Sequence, residues 1–583
     1  MKSSKTSFLL TVLIAIVLTS GAVAQHSRTY KAPIPTQYDS TQALSTLRAR
    51  LDQIFTSAPY RSSRVSVMVW SLNRNATVYD RNSKQNLTPA STTKLFSTAA
   101  YYQLYGRNAI ISTEVKTDGN LEADGTLRGN LYLIGHGDAL LSVNDLEELA
   151  DKVRALGIRR ISGNIVGDGY AFDGQTNRAV YSGDYEDVQP LPPIVALSVN
   201  KGTVAVFASA GKTGRINVQT IPASDAFNVV VRTSVPRSKK SPPARSKSKA
   251  KPKVQLKAKP KARTKPTTKK KRSRADVVVE ESIERYGDAP PEPRQRRRKG
   301  RGRSRVPRIS VSSSTLPSGI QQFVVSGSPG ANRSATVYVA MSKPALATAG
   351  VFADRLRSGG IEVDGHIEER RAPANARYLT QFRRPFVEFA SVVNKRSDNY
   401  LAEHVFKMVG AACGDHSTTA LRAKRALVEV LDSLHVDRNN CVFNDGSGLS
   451  RRNLVSAATE VGLLRQIHNQ EWGPEYRSTL AVGAYDGTIR RRMHGSLAAN
   501  NVTAKTGTLR NVSALAGYVT TRDGELLAFS FISNGPNVGS FKGMENLAAM
   551  ALASFSFKQP VPIPQDILPT PTDTIDEVVT DTE

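Results

Sequence analysis

Residues 89–96 read Pro-Ala-Ser-Thr-Thr-Lys-Leu-Phe, and they hold the strongest single indication of the fold. Pro89 suits the first turn of a helix, and apolar residues then recur at helical spacing until Gly106. A separation of three residues places Ser91 and Lys94 on one helix face, so the amine can reach the hydroxyl. Unpaired N–H groups at a helix start also favour a developing anion. The stretch predicts an activated serine, although Ser-x-x-Lys alone also fits a helix cap with a solvent-exposed lysine.

Two more short motifs strengthen the catalytic interpretation of Ser91 and Lys94. Ser397-Asp398-Asn399 lies in the turn between two predicted helices, at 386–395 and 400–409. Lys505-Thr506-Gly507 lies on a predicted strand, 502–508, ahead of a terminal hairpin. Each motif alone has an ordinary explanation, a helix cap or an edge-strand lysine. Together, in this order, they form the signature set of penicillin-binding proteins and serine β-lactamases.

Longer segments around these motifs narrow the resemblance to one family. The segments are 129–173, 394–403, 445–451, 486–489 and 505–509. They resemble the low-molecular-mass class C penicillin-binding proteins, the serine-type D-alanyl-D-alanine carboxypeptidase/endopeptidases. The resemblance covers most of the chain, from about Ser45 to Phe557. Within the family's pattern, the segment 445–448 also has an ordinary explanation as a tight turn.

The resemblance implies an α+β fold of the penicilloyl-serine transferase (β-lactamase/transpeptidase-like) type, an antiparallel sheet flanked by helices. Nested α/β and β-rich domains are expected to interrupt it. The motif spacing agrees, because 306 positions separate Ser91 from Ser397 but only 108 separate Ser397 from Lys505. Only the first gap has room for inserted domains. The predicted bounds are a signal peptide at 1–24, the transpeptidase-like domain at 25–105 and 381–558, the inserted domain at 106–185 and 341–380, the nested β-rich domain at 186–340, and an acidic tail at 559–583.

The resemblance also implies roles for the motif residues that carry the reaction. Ser91 would attack the carbonyl of the penultimate D-alanine, and Lys94 would take its proton, helped by the like charge of Lys505. Ser397 would relay that proton toward the leaving amine. Asn399 would hold Lys94 and the substrate amide.

Substrate binding falls to the strand motif in the same scheme. Lys505, with the hydroxyls of Thr506 and Thr508, would bind the C-terminal carboxylate that peptide and penicillin share. The N–H groups of Ser91 and Thr508 would form the oxyanion hole. Gly507 would let the substrate approach the strand closely. Asp398 fits a helix-capping role at least as well as a catalytic one.

The charge of the chain is concentrated in one window. The 583 residues include 80 Lys and Arg against 50 Asp and Glu, a formal net charge of +30. The window from Arg237 to Arg308 holds 28 basic and 6 acidic residues, so it carries +22. Its low-complexity sequence has too few large apolar side chains to offset the entropy of folding, which predicts a disordered insertion in a loop of the β-rich domain. The tail 559–583, with six acids and five prolines, is predicted to be disordered too.

The N-terminus indicates where the protein works. Lys2 and Lys5 precede an apolar run from Phe8 to Leu18, and Ala22-Val23-Ala24 supplies small residues before Gln25. The run is shorter than the roughly 20 residues that span a bilayer, so a cleaved export signal is favoured over an anchor. We expect an exported protein of the periplasm or cell envelope, with no transmembrane anchor after cleavage.

Partners follow from this location. The expected ones are peptidoglycan stem peptides and β-lactams. The basic window could bind nucleic acid, but export argues against it, so anionic envelope polymers or lipid headgroups are the better candidates beside a merely solvated linker. Two cysteines, Cys413 and Cys441, and the absence of metal-ligand spacing lead us to expect no metal and no cofactor. An oxidising envelope would permit a disulfide between the cysteines.

Two other functions remain open at this point. A serine β-lactamase uses the same acylation residues but must hydrolyse the acyl-enzyme quickly, and no glutamate can be assigned that task. A wall-binding scaffold with a vestigial active site would bind through the basic window. The complete set of catalytic residue types and the long first gap favour the peptidase.

Overall fold

The computed structural model describes residues 40–186, 189–211, 215–232, 308–329, 332–414 and 417–558. The predicted signal peptide, the acidic tail and the basic window, apart from Arg308 at its end, lie outside these residues. Within the described ranges, no helix combines the length and the hydropathy that a membrane crossing needs.

The described residues form both helices and strands, in mixed order along the chain. The helices are α1 (Ser40–Phe55), α2 (Lys94–Tyr105), α3 (Val143–Ala155), α4 (Arg178–Ser182), α5 (Pro344–Ser358), α6 (Phe386–Lys395), α7 (Asn399–Ala412), α8 (Thr419–Ser433), α9 (Ala457–His468), α10 (Gly473–Ser478) and α11 (Val538–Ser554). The strands are β1 (Arg64–Ser71), β2 (Ala76–Arg81), β3 (Ile110–Thr117), β4 (Asn120–Leu121), β5 (Thr126–Arg128), β6 (Leu131–Gly135), β7 (Arg160–Ile161), β8 (Ile165–Asp168), β9 (Thr203–Ala210), β10 (Ile216–Ile221), β11 (Phe227–Arg232), β12 (Arg308–Thr315), β13 (Gln321–Ser328), β14 (Arg333–Ala340), β15 (Glu362–Val363), β16 (Ile367–Glu369), β17 (Arg377–Pro385), β18 (Ala481–Val482), β19 (Thr503–Leu509), β20 (Val512–Thr520) and β21 (Leu526–Asn534).

One antiparallel sheet joins the two ends of the described chain, in the strand order β18-β19-β20-β21-β1-β2. The period-two pattern of β1 places Val65, Val67 and Val69 in the core that α1 and α11 cover. Met68 and Trp70 alternate with them and pack on the other face, against the helical core. The sequence predicts one hairpin at 64–79 and another at 513–533, and both are present, as β1-β2 and β20-β21. The sheet is therefore covered by helices on both faces.

The second core lies in the part of the chain between α2 and α6. A five-stranded sheet, β16-β8-β6-β3-β17, and a four-stranded sheet, β15-β7-β5-β4, form there, and α3 packs against α5. The apolar pattern of the sequence across 161–166 predicts one strand, and this prediction is wrong, because β7 and β8 belong to different sheets. Gly163 lies between them, and a Cβ on it would come within 2.4 Å of the Gly129 carbonyl oxygen. The chain changes sheets where only glycine fits.

Strand β17 crosses the predicted boundary at 380/381. It pairs with β3 as far as Pro385, which faces Ile110, and α6 begins at the next residue. Strand β17, and with it the five-stranded sheet, therefore continues five residues beyond the boundary predicted from sequence.

The predicted β-rich region contains two small sheets, β10-β9-β14 and β11-β13-β12. In the second, β11 and β12 lie on either side of β13, with Arg232 facing Ser326 and Arg308 facing Ser328. Arg232 and Arg308 therefore lie two strand spacings apart, about 10 Å.

The helical core carries the catalytic motifs. Helix α2 runs through it, with Leu95, Phe96 and Ala99 fully or almost fully buried, and α6, α7, α8 and α9 surround it. Cys413 and Cys441 border this core and are not joined by a disulfide.

Candidate active site

Ser91 lies on a short 3-10 helix, Ala90–Thr93, that leads directly into α2. The predicted helix is thus present, with a tighter first turn. Ala90 has a φ of +52°, in the left-handed region that alanine rarely adopts. Ser91 is partly exposed, whereas the next two residues, Thr92 and Thr93, are buried.

Lys94 is fully buried and donates to three acceptors. Its Nζ lies 2.8 Å from Ser91 Oγ, 2.7 Å from Asn399 Oδ1 and 2.5 Å from the carbonyl oxygen of Ser447. Burial lowers the pKa of Lys94 to about 8, against the opposing effect of the carboxylates of Asp445 and Glu403. Because the pKa is lowered, a substantial fraction of this amine is neutral near neutral pH, and a neutral amine next to a serine hydroxyl can act as its base.

The carbonyl of Ser447 is held by a buried network that the sequence did not reveal. Glu403 on α7 accepts from the backbone N–H of Ser447 at 2.8 Å and from the Tyr181 hydroxyl at 2.8 Å. Asp445 accepts from the backbone N–H groups of Gly448 and Ser450 and forms a buried ion pair with Arg178 at 3.1 Å. The loop 445–450 is therefore part of the site. It is a tight turn as well, so both explanations of this segment hold.

One signal could have found part of this network. Glu403 follows Asn399 by four residues, which puts both on the same face of α7. The contact between Arg178 and Asp445 carries no local signal, because 267 residues separate them.

The second motif lies where α6 ends and α7 begins. Ser397 has a φ of +60°, which turns the chain sharply between the two helices. Asp398 is the N-cap of α7, and its Oδ1 accepts from the N–H of Leu401 at 3.0 Å. Its other oxygen pairs with Lys201 at 2.5 Å. The capping role expected for Asp398 is confirmed.

Lys505 lies on β19, facing the second motif. Its Nζ donates to Ser397 Oγ at 2.8 Å and to the carbonyl oxygen of Thr506 at 2.9 Å. Burial, and then the charge of Lys94, hold the pKa of Lys505 well below its usual range. The structure thus brings the two lysines into one site, as the sequence predicted.

The remaining residues of the third motif differ in exposure. Thr506 is partly buried and donates to Thr488 Oγ1 at 2.9 Å, whereas Thr508 is exposed. Gly507 packs closely against the segment that carries the nucleophile. A Cβ there would lie 2.4 Å from the Pro89 carbonyl oxygen and 3.2 Å from Ser91 N, so glycine lets the nucleophile's own segment approach β19. The predicted approach of substrate to this glycine stays a prediction.

The sequence model of the D-Ala-D-Ala carboxypeptidase 3 (S13) family matches residues 47–268 and 307–555. The chain belongs to this family. Its function is that of a serine-type D-Ala-D-Ala carboxypeptidase, as the three motifs predicted. The match skips 269–306, which lies in the basic window.

Two curated relatives align along most of the carboxypeptidase. A D-alanyl-D-alanine carboxypeptidase of an Actinomadura species is 28% identical over 533 residues, covering 88% of this chain and 86% of the relative. The D-alanyl-D-alanine carboxypeptidase DacB of Haemophilus influenzae is 24% identical over 494 residues, covering 84% and 89%.

A solved structure agrees with the fold. Penicillin binding protein 4 of Haemophilus influenzae matches 88% of this chain and 99% of its own, with a TM-score of 0.59 at 21% identity. A complex of that protein with a β-lactam matches with a TM-score of 0.56. The expected α+β penicilloyl-serine transferase fold is confirmed.

Proposed function

We propose that Ser91 is the nucleophile of this carboxypeptidase and that Lys94 is its general base. The observation that carries the proposal is the 2.8 Å contact between Lys94 Nζ and Ser91 Oγ, made by a fully buried amine. Neutral Lys94 takes the proton of Ser91 as Oγ bonds to the carbonyl carbon of the penultimate D-alanine. The peptide bond breaks, and water later hydrolyses the acyl-enzyme.

Ser397 completes the proton path in this scheme. Its hydroxyl lies within the site, where it accepts from Lys505 Nζ at 2.8 Å. A proton passed from Lys94 through Ser397 reaches the amine of the departing D-alanine. Asn399 holds Lys94 in position through Oδ1, and its Nδ2 donates to Gln189 until a substrate amide replaces that contact.

Lys505 and the exposed Thr508 form the proposed carboxylate site, with Thr506 beside them. Two desolvated lysines in one site repel each other, and a substrate carboxylate next to Lys505 relieves part of that cost. The backbone N–H groups of Ser91 and Thr508 form the oxyanion hole in our proposal. The absence of a side chain at Gly507 supports it, because β19 can then approach the nucleophile.

We further propose that the enzyme is exported by its signal peptide, works in the periplasm or cell envelope, trims peptidoglycan stem peptides and is acylated by penicillins. Cleavage of cross-links by a D,D-endopeptidase activity uses the same site. The transpeptidase-like domain takes up the two ends of the chain, and the second boundary of the inserted domain lies at 385/386 on the evidence of β17. The nested β-rich domain spans 186–340.

One experiment separates this function from its rivals. Incubation with labelled penicillin and with a D-Ala-D-Ala peptide should give lasting label and released D-alanine. Rapid turnover of the label would instead indicate a β-lactamase, and neither label nor D-alanine a scaffold.

Replacing Lys505 by alanine should sharply weaken acylation by penicillins and by peptides with a free C-terminus. Both present a carboxylate, and the variant lacks the cation proposed to bind it. A peptide with an amidated C-terminus should lose much less. The ratio of kcat/KM values for free and amidated peptides measures this, and an equal loss on both would contradict the role.

The basic window offers a separate prediction about envelope binding. We propose that it tethers the enzyme to anionic envelope polymers. Arg232 and Arg308 lie about 10 Å apart on one sheet, so a short glycine-serine linker can replace 237–306 without disturbing β11 or β12.

The shortened enzyme should turn over a small D-Ala-D-Ala peptide at an unchanged rate. Its binding to isolated envelopes at low salt should fall, and wild-type binding should weaken steeply with added salt as counterions are released. Equal binding by both proteins at low salt would leave the window as a solvated linker.

A further inference from the structure

A cavity of about 430 Å³ lies at the edge of the central sheet where β1 begins and β2 ends. Three arginines line it, Arg61, Arg64 and Arg81, together with the side chains of Asn82 and Gln85. We call these five residues and the space they enclose the arginine pocket. A neighbouring cavity of about 540 Å³ shares the lining residues Asn82 and Gln85 with the arginine pocket.

The arginine pocket is separate from the catalytic site. Strands β20, β21 and β1 lie between β19, which carries Lys505, and β2, which carries Arg81. Four strand spacings amount to about 19 Å. A ligand in the pocket therefore does not contact the reacting serine.

The cations of the pocket lack balancing anions. Within the described ranges, the side chains of Arg61 and Arg64 are exposed and make no hydrogen bond or ion pair. Arg81 Nη1 lies 3.5 Å from Asp52 Oδ1, and that carboxylate already accepts from the Tyr79 hydroxyl at 2.7 Å. The buried Nε of Arg81 has no acceptor within hydrogen-bond geometry among the described residues. Of the three arginines, only Arg81 has a carboxylate partner among the described residues.

The local sequence has the same imbalance. Between Arg48 and Lys84 there are seven basic and two acidic residues, a net charge of +5. The whole chain outside the basic window carries only +8. More than half of that charge is gathered in this short segment. Clustered like charges cost free energy, and an orphaned buried donor is rare, so both features favour a bound anion.

We propose that the arginine pocket binds the phosphate group of a small phosphorylated ligand. A planar guanidinium matches phosphate with paired hydrogen bonds, and a local charge of about +2 suits a phosphate dianion. The volume falls in the range of small-molecule sites, roughly 300–1,000 Å³, which leaves room for a sugar ring beside the phosphate. The amides of Asn82 and Gln85 can bind its hydroxyls. The phosphate belongs to a soluble sugar phosphate or to a lipid headgroup.

The test compares three forms of the full-length enzyme by isothermal titration at low ionic strength, with chloride matched. The forms are wild type, the Arg61→Gln/Arg64→Gln variant and an Arg107→Gln/Arg522→Gln control, whose arginines are also exposed. Glucose 1-phosphate and inorganic phosphate are the soluble probes, and phosphatidylglycerol vesicles in a cosedimentation arm represent the lipid source. Penicillin labelling of all three forms checks that each is folded.

The wild type and the control should bind glucose 1-phosphate saturably at one site, and the Arg61/Arg64 variant at least tenfold more weakly. Binding of vesicles alone, with the same selective loss, would support the pocket and identify the headgroup as the source. No saturable binding to any probe, or an equal loss in both double variants, would overturn the proposal. Neither result bears on acylation of Ser91.

Discussion

Replacing Ser91 by alanine should abolish covalent labelling by penicillin and release of D-alanine, a loss of at least about 10⁴-fold. The reason is chemical rather than structural, since the change removes one partly exposed oxygen. Lys94 keeps Asn399 and the Ser447 carbonyl as acceptors, so the melting temperature should change by only a few degrees. Labelling on a gel and a D-alanine assay measure the loss.

A matched control for this variant is Ser142→Ala at the start of α3. Ser142 caps α3 through a reciprocal hydrogen bond with Asp145, and its removal should cost about 1 kcal/mol of stability. It should nevertheless keep wild-type labelling. Full labelling of the Ser91→Ala enzyme would sink the assignment of the nucleophile.

The parts of the fold that followed from sequence are those with local signals. The alternation in β1 and the helical period after Lys94 each extend over a few neighbouring residues, and so does each of the three motifs. All of them are found in the structure. The break between β7 and β8 was missed, because it depends on how closely Gly163 passes a distant backbone.

The same distinction explains the site. The motif residues could be named from sequence, but the buried network that orients the Ser447 carbonyl could not. Asp445 and Arg178 come from different regions of the chain, and their ion pair is visible only once the loop 445–450 packs against α4 and α7. The close contact of Gly507 with the Pro89 carbonyl could not be predicted either, since it depends on how distant parts of the chain pack.

Lys94 should prove as necessary as Ser91, because base and nucleophile act as one unit. Lys94→Met keeps most of the side-chain volume and removes the amine, and acylation should fall by at least about 10³-fold. Lys94→Ala should lose acylation equally and also destabilise the fold by about 2–4 kcal/mol, since it leaves a cavity and unpaired acceptors on Ser447 and Asn399.

The pH dependence of acylation tests whether Lys94 acts as a base or only as a structural cation. Lys94 accepts a proton only when it is neutral, and its neutral fraction rises as the pH passes its pKa of about 8. The wild-type rate constant for acylation should therefore rise with pH through that value. A Lys116→Met control, which removes a partly exposed ion pair with Glu114, should keep this rise. The residual rate of Lys94→Met should lack it, because the amine that contacts Ser91 Oγ is then gone. If that variant kept the same rise near pH 8, another group would have to be the base, and Lys94 would only hold the loop 445–450 in place.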